Sequence, residues 1–132
     1  MNYDAMIYGI GVDLIRVARL ARVLERFGDR FLQRVFTARE IAYCRTRHRQ
    51  GVYQLAQRFA AKEAFSKALG VGLRAGGIRW REVEVLPDQM GKPELYVSGR
   101  AAELCRAHGI TRMHVSLTDE DGHAVAMVVL EV

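Results

Sequence analysis

Three ionisable side chains, Asp13, Glu63 and Lys67, have the types and spacing that could support chemistry. Glu63 and Lys67 are four residues apart, so on a helix they lie one turn apart on the same face. The simplest interpretation is an i,i+4 salt bridge, which stabilises a solvated helix by about 0.2–0.5 kcal/mol. Asp13 favours a site instead, because it ends a segment with the composition of a buried strand, where a carboxylate rarely lacks a partner.

Two carboxylates that meet in space repel each other, so such a pair requires a cation or a proton. Beside a phosphate-bearing substrate the pair is a typical ligand set for Mg²⁺, which keeps several waters and takes further oxygens from the phosphates. Lys67 could then contact a phosphate oxygen instead of Glu63. The residues alone leave both interpretations open, the helical salt bridge and the metal site.

A strand and a long helix must position these side chains. Residues 6–14 are rich in β-branched side chains and contain Gly9 and Gly11, which let other parts of the chain come close. Residues 53–69 have the periodicity of a helix whose inward side is rich in alanine. Such small side chains let another backbone or a ligand approach the helix.

Periodicity and turn residues predict the remaining elements. Thr37 and Glu40 have the spacing of a capping box, so a helix should begin there. The other predictions are helices over residues 16–27 and 99–108 and strands over residues 83–86, 94–97, 113–118 and 124–132.

The length of the chain fits one domain, residues 1–132. We expect an α+β fold in which the long helix packs on a mostly antiparallel sheet. The apolar last strand should be central in the sheet or lie at an interface.

The basic residues are concentrated in the first half of the chain. Residues 1–60 hold eleven arginines and five acidic residues, whereas residues 61–132 hold nine basic and ten acidic residues. Arg16, Arg19, Arg22 and Arg26 follow one side of the first predicted helix, α1 at residues 16–27, and we call them the α1 arginine stripe. Such a stripe is either a solvated face or a surface for an acidic partner, and the scarcity of nearby acids favours the partner.

Composition excludes several classes of protein. No apolar run approaches the roughly 18 residues that cross a bilayer, so we expect no membrane partner. Residues 1–5 lack the basic and apolar regions of a secretory signal, so a cytoplasmic location is the default prediction. Cys44 and Cys105 show no metal-ligand spacing and should be ordinary buried thiols.

Two strings carry a resemblance to a known family. GIGVD at residues 9–13 and RFAAKEAFSKALG at residues 58–70 resemble, in the expected order, the two signature motifs of holo-acyl-carrier-protein synthase, the small type of 4′-phosphopantetheinyl transferase. The resemblance runs from Met6 to the end of the chain. It implies the fold of these transferases and the transfer of 4′-phosphopantetheine from coenzyme A to a serine of apo-acyl carrier protein, with release of adenosine 3′,5′-bisphosphate.

The same resemblance assigns roles to the charged residues. It implies that Asp13 and Glu63 bind Mg²⁺, that Glu63 is the base for the serine hydroxyl, directly or through a water on the metal, and that Lys67 stabilises charge on the pyrophosphate. It also implies a nucleotide site, a docking surface for the acidic carrier protein, and a homotrimer with sites between subunits. The nucleotide residues are Arg58, Gly91, Lys92, Pro93, His114 and Ser116, and the docking residues are Arg16, Arg19, Arg22, Arg26 and Arg45.

Two positions depart from the family pattern. Val71 stands where many members have threonine, which puts a hydroxyl contact to the nucleotide in doubt. Asp119 stands where many have histidine, which leaves the role of that position in doubt.

Two other functions compete with this interpretation. A transferase of the same fold could serve a polyketide or peptide-synthetase carrier, and the sequence does not separate the two. A basic nucleic-acid-binding module would explain the arginines, but the chain lacks a recognised motif and the aromatic platform of single-strand binders, so we expect no nucleic-acid partner.

Overall fold

The chain contains five helices and five strands in the part that the structure describes. The computed structural model describes residues 6–47 and 51–132. In order, the elements are β1 (Ile7–Arg16), α1 (Val17–Phe27), α2 (Asp29–Val35), α3 (Ala38–Arg45), α4 (Gly51–Leu69), β2 (Val83–Pro87), β3 (Pro93–Val97), α5 (Gly99–Ala107), β4 (Arg112–Glu120) and β5 (His123–Glu131). A short 3₁₀ turn at Trp80–Glu82 precedes β2.

The strands form two antiparallel groups. β1, β5 and β4 make a three-stranded sheet in that order, and β2 pairs with β3 in a separate hairpin. The predicted α+β fold is confirmed, with α4 packed on one face of the three-stranded sheet. The last strand, β5, is central, as one of the two sequence interpretations required.

Helix α4 runs through the hydrophobic core and is buried on most of its circumference. Its alanines and Phe65 are nearly inaccessible, and they pack against inward side chains of β5 such as Ala126 and Val128. The buried apolar residues form one cluster that also includes residues of α1, α5 and β2. That residues 1–132 form one domain stays a prediction.

Strand β1 lies directly on the backbone of α4. A Cβ atom added to Gly11 would stand 1.9 Å from the carbonyl oxygen of Ala64, and one added to Gly9 would stand 1.9 Å from that of Ala68. Neither position has room for any side chain. Because side chains alternate along a strand, Asp13 points to the same side as these two glycines.

The opposite side of the three-stranded sheet is apolar and exposed in the subunit. Ile10, Val12 and Leu14 of β1 are between 54% and 62% exposed, so the expectation of a buried strand is wrong for this side of β1 in the subunit alone. Cross-strand neighbours complete this outer sheet face. They are Val125, Met127 and Val129 of β5, and His114, Ser116 and Thr118 of β4.

Element boundaries differ in places from those that the sequence predicts. β1 continues to Arg16 and leads directly into α1, so Asp13 lies within the strand rather than at its end. The final turn contains only Asp121 and Gly122, both at positive φ, and β4 correspondingly extends through Glu120.

Among the described residues, none of the helices combines the length and apolar character that crossing a lipid bilayer requires.

We expect Gly11→Ala to destabilise the fold by about 1–3 kcal/mol or more, because the new methyl group overlaps a helix carbonyl that cannot move independently. The measurement is the free energy of unfolding in urea. Gly72→Ala is the matched control, because the nearest atom to its added Cβ is 4.0 Å away and its φ is not positive. Equal stabilities of the two variants would contradict the close contact between β1 and α4.

Candidate active site

Asp13 and Glu63 line one cavity of about 270 Å³. Asp13 comes from β1 and Glu63 from α4, so the close contact between these elements brings the two acids together. The cavity is otherwise mostly apolar, with Phe31 and Phe59 among its lining residues and Arg19 as its basic residue. Two carboxylates thus share a partly desolvated space.

Lys67 contacts Asp13 instead of Glu63. Its ammonium group lies 3.1 Å from Asp13 Oδ1 and donates a second bond of 3.1 Å to the carbonyl oxygen of Val12. The i,i+4 salt bridge with Glu63 does not form among the described ion pairs, although Lys67 is near enough to affect Glu63 electrostatically. More than half of the Lys67 side chain is exposed, so its charge faces the solvent beside the two acids.

The protonation equilibrium of Glu63 is shifted. Burial raises the pKa of Glu63, the neighbouring charge of Asp13 raises this pKa further, and Lys67 lowers it in part. A carboxylate with a raised pKa is a better proton acceptor at neutral pH than an ordinary glutamate. The same shift means that a cation beside the pair would be favourable.

Among the described residues that line the cavity, Asp13 and Glu63 are the only histidine, cysteine, aspartate or glutamate side chains. Within residues 6–47 and 51–132 there is no group of three histidine, cysteine, aspartate or glutamate side chains that could hold a metal ion. Two oxygen donors fit Mg²⁺ only if water and substrate phosphates complete the coordination, which is how this ion commonly binds.

Arg58 lies in the protein interior, away from this cavity. Its guanidinium donates to the carbonyl oxygen of Val85 at 3.1 Å and to Gln54, and it lies 4.6 Å from the ring centre of Tyr43. With 2% of its surface exposed, Arg58 connects α4 to β2 and α3. Nε and one terminal nitrogen of its guanidinium are thus bonded within the fold, and the nucleotide contact of Arg58 stays a prediction.

The turn between β2 and β3 carries three of the predicted nucleotide residues, Gly91, Lys92 and Pro93. Asp88 organises this turn, because its carboxylate accepts bonds from the backbone amides of Met90 and Lys92. Gly91 has a φ of +87°, which favours glycine. Lys92 is exposed, and none of the three lines the cavity of Asp13 and Glu63.

His114 and Ser116 lie on the exposed side of the edge strand β4, also outside that cavity. The His114 Nε2 atom lies 2.6 Å from a carboxylate oxygen of Glu131 on the neighbouring strand. In the single subunit these residues and the carboxylate pair are therefore not assembled into one site.

The predicted docking arginines are all exposed. Arg19 is the member that also lines the cavity of the two acids. Arg45 lies 3.8 Å from Asp29, a weak and fully solvated ion pair. The remaining three, Arg16, Arg22 and Arg26, have no ion-pair partner among the described residues.

Asp119, one of the two departures from the family pattern, contacts α4. Its carboxylate accepts a bond of 2.6 Å from the side-chain amide of Gln57. This bond joins the end of β4 to the long helix.

A buried ion pair that the sequence analysis did not identify lies next to Glu63. Lys62 and Glu40 are both fully buried, with Lys62 Nζ 2.8 Å from Glu40 Oε1. Lys62 also donates to the carbonyl oxygens of Trp80 and Val83. Burial lowers the pKa of Lys62, and the charge of Glu40 opposes this effect.

Glu40 has further partners that explain its burial. It accepts bonds from the backbone amides of Thr37 and Val85, and Thr37 completes the capping box that the sequence predicts. The pair therefore holds α3, α4 and β2 together. The capping-box spacing was a signal for Glu40, but no sequence signal identified its partnership with Lys62.

Comparison with known proteins matches this arrangement to one family. The sequence profile of the 4′-phosphopantetheinyl transferase superfamily matches residues 9–128. The chain belongs to this superfamily. The carboxylate pair, Asp13 and Glu63, comes from the two motif segments on which the sequence resemblance was based.

Individual members of the superfamily are similar over nearly the whole chain. Holo-[acyl-carrier-protein] synthase from Geobacter sp. (strain M21) is 49% identical over 126 residues, which cover 96% of this chain and 99% of that protein. The crystal structure of the synthase from Neisseria meningitidis has a TM-score of 0.87 at 38% identity and covers 96% of this chain and 100% of its own. The Helicobacter pylori synthase in complex with coenzyme A has a TM-score of 0.80 at 29% identity and covers 92% and 98% of the two chains.

We expect Lys62→Met to destabilise the transferase fold by about 3–5 kcal/mol, because it leaves the carboxylate of Glu40 charged and buried without its cation. The measurement is urea unfolding followed by circular dichroism. In the double variant with Glu40→Met, the free energy of unfolding should fall by less than the sum of the losses in the two single variants, because the two side chains interact. Lys92→Met, at an exposed lysine, is the control, and a Lys62→Met variant as stable as this control would contradict the structural role.

Proposed function

We propose that this chain transfers 4′-phosphopantetheine from coenzyme A to a serine of apo-acyl carrier protein and releases adenosine 3′,5′-bisphosphate. The observation that carries the proposal is the shared cavity of Asp13 and Glu63, with the ammonium group of Lys67 beside it. A related synthase of known structure binds coenzyme A, which supports the donor substrate.

The residues of the cavity fit the steps of this transfer. Glu63 accepts the proton of the serine hydroxyl as the serine oxygen attacks the phosphorus that carries the pantetheine arm. The bond from this phosphorus to the oxygen of the adenosine bisphosphate breaks, and that oxygen keeps the electron pair. Lys67 offsets negative charge on the pyrophosphate, and positioning with charge neutralisation accounts for most of the catalysis in such reactions.

Asp13 and Glu63 would hold Mg²⁺ in the substrate complex. The two carboxylates are partly buried and the pKa of Glu63 is raised, which fits a divalent cation. Only two protein carboxylates are present among the described residues of the cavity, which fits an ion that takes its other ligands from water and phosphates. When bound, Mg²⁺ would neutralise charge on the diphosphate and on the two acids.

We also propose a homotrimer in which the nucleotide site lies between subunits. The outer sheet face is an exposed apolar patch of the kind that marks an interface, and His114 and Ser116 lie on it. In the single subunit, these residues and Gly91, Lys92 and Pro93 are outside the cavity of the acids. If a neighbouring copy packs on this face, the predicted nucleotide residues of one subunit could lie beside the carboxylate pair of the other.

The acidic carrier protein would dock on the α1 arginine stripe, with Arg45 as a further contact. These arginines are exposed and mostly without acidic partners in the described part of the chain, which supports charge complementarity with an acidic protein. The preference for a fatty-acid carrier over a polyketide or peptide-synthetase carrier stays a prediction, as does the cytoplasmic location.

We expect Glu63→Gln to lower phosphopantetheine transfer by about 10²–10⁴-fold, because glutamine cannot accept the serine proton. The assay is mass spectrometry of an apo-acyl carrier protein incubated with coenzyme A and Mg²⁺. Calorimetric titration of Mg²⁺ in the presence of coenzyme A should show weaker binding by Glu63→Gln and by Asp13→Asn. The control is Glu103→Gln, at an exposed glutamate of α5. If Glu63→Gln transfers phosphopantetheine as fast as this control, the assignment of Glu63 as the base is overturned.

We expect the chain to sediment as a trimer of 14.9 kDa subunits and Met127→Lys to sediment as a monomer, because lysine would place a charge at the centre of the outer sheet face. Met90→Lys is the matched control, since Met90 is 91% exposed in the turn between β2 and β3. A wild-type monomer, or a trimer that survives Met127→Lys, would contradict the proposed interface.

A further inference from the structure

A second cavity adjoins the one that contains the catalytic acids. Its volume is about 500 Å³, and it shares Val23 and Phe31 with the first cavity. Phe27, Arg30 and Arg34 complete its lining. The two cavities are therefore neighbours beside α1 and α2, with apolar and basic side chains in their walls, and we call the row of cavities that begins here the groove.

A third cavity of about 560 Å³ continues the groove, because Arg34 lines both the second and the third. Three arginines from the segment between α4 and β2 also line it. We name Arg34, Arg74, Arg79 and Arg81 the distal arginine cluster. The apolar residues of this cavity are Leu73, Ile78 and Trp80.

The distal arginine cluster lacks compensating charge. All four side chains are exposed, and none forms an ion pair within residues 6–47 and 51–132. Glu82 follows the cluster directly, but it accepts bonds from the backbone amides of Arg79 and Ala101. Four guanidinium groups around one cavity repel one another, so an anionic occupant would be favoured.

The composition of the groove favours a protein over a small anion. Trp80 stacks on Phe59 with their ring centres 4.9 Å apart, and Phe59 also lines the cavity of the catalytic acids. Arginine and aromatic side chains together are typical of the energetically important parts of protein interfaces. The groove also begins at the catalytic acids and passes beside α1, where the predicted docking arginines lie.

We propose that the distal arginine cluster is a second docking patch for the acidic acyl carrier protein. The carrier lies along the groove, with its serine at Glu63 and a second acidic segment at Arg34, Arg74, Arg79 and Arg81. This inference rests on the proposed function and adds contacts beyond the α1 arginine stripe.

The test is a charge-reversal variant, Arg74→Glu with Arg79→Glu, assayed for transfer at varied carrier and coenzyme A concentrations. We expect the KM for the carrier to rise about tenfold or more, with kcat and the KM for coenzyme A unchanged, since reversed charges weaken association without touching the reacting atoms. The double variant Arg74→Lys with Arg79→Lys should keep most of the affinity, because it keeps the charge. Arg106→Glu, on α5 and outside the groove, is the control with unchanged kinetics.

Direct binding separates this inference from the proposed function. The probe is an apo-acyl carrier protein whose acceptor serine is replaced by alanine, titrated onto each variant at low and high salt. Weaker binding by the charge-reversal variant, with a smaller salt dependence than the wild type, supports the second patch. If the wild type transfers phosphopantetheine and the charge-reversal variant binds the carrier as well as the wild type does, the second patch alone is overturned. The same holds if the charge-reversal variant changes only the KM for coenzyme A. A wild type without any transfer would overturn the proposed function itself.

Discussion

The candidate active site depends on how closely β1 lies against α4. Gly9 and Gly11 have no side chains, so the strand touches the carbonyl groups of Ala64 and Ala68 directly. Asp13 is the next residue on that side of the strand, and it therefore faces α4. Ordinary side chains at the glycine positions would hold the strand farther away. The carboxylate of Asp13 would then no longer share a cavity with α4.

The rotation of α4 about its own axis is determined by a different interaction. Lys62 points into the core, where Glu40 and two backbone carbonyl groups accept all three of its N–H donors. A buried ammonium is tolerable only with such complete pairing. Successive residues on a helix are about 100° apart, so fixing Lys62 inward directs Glu63 to the side that faces Asp13.

Local rules in the sequence predicted most of the fold and the segments that form the site. Helical periodicity identified α4, and the spacing of Thr37 and Glu40 identified the start of α3. The ion pair of Lys62 could not be predicted, because its partner lies 22 residues away and only tertiary packing brings the two together. The bond from Arg58 to the carbonyl oxygen of Val85 could not be predicted for the same reason, because Val85 lies 27 residues away.

Glu40 and Glu63 show how the surroundings of a carboxylate separate a structural role from a chemical one. Glu40 is completely buried, yet its charge is matched by Lys62 and by backbone amides, so it has no capacity left for a substrate. Glu63 is only partly buried, and its nearest charges are the competing Asp13 and the exposed Lys67. Its negative charge is therefore incompletely balanced by the protein. A cation or a proton must complete that balance, which supports the proposal that Glu63 is the reactive member of the two.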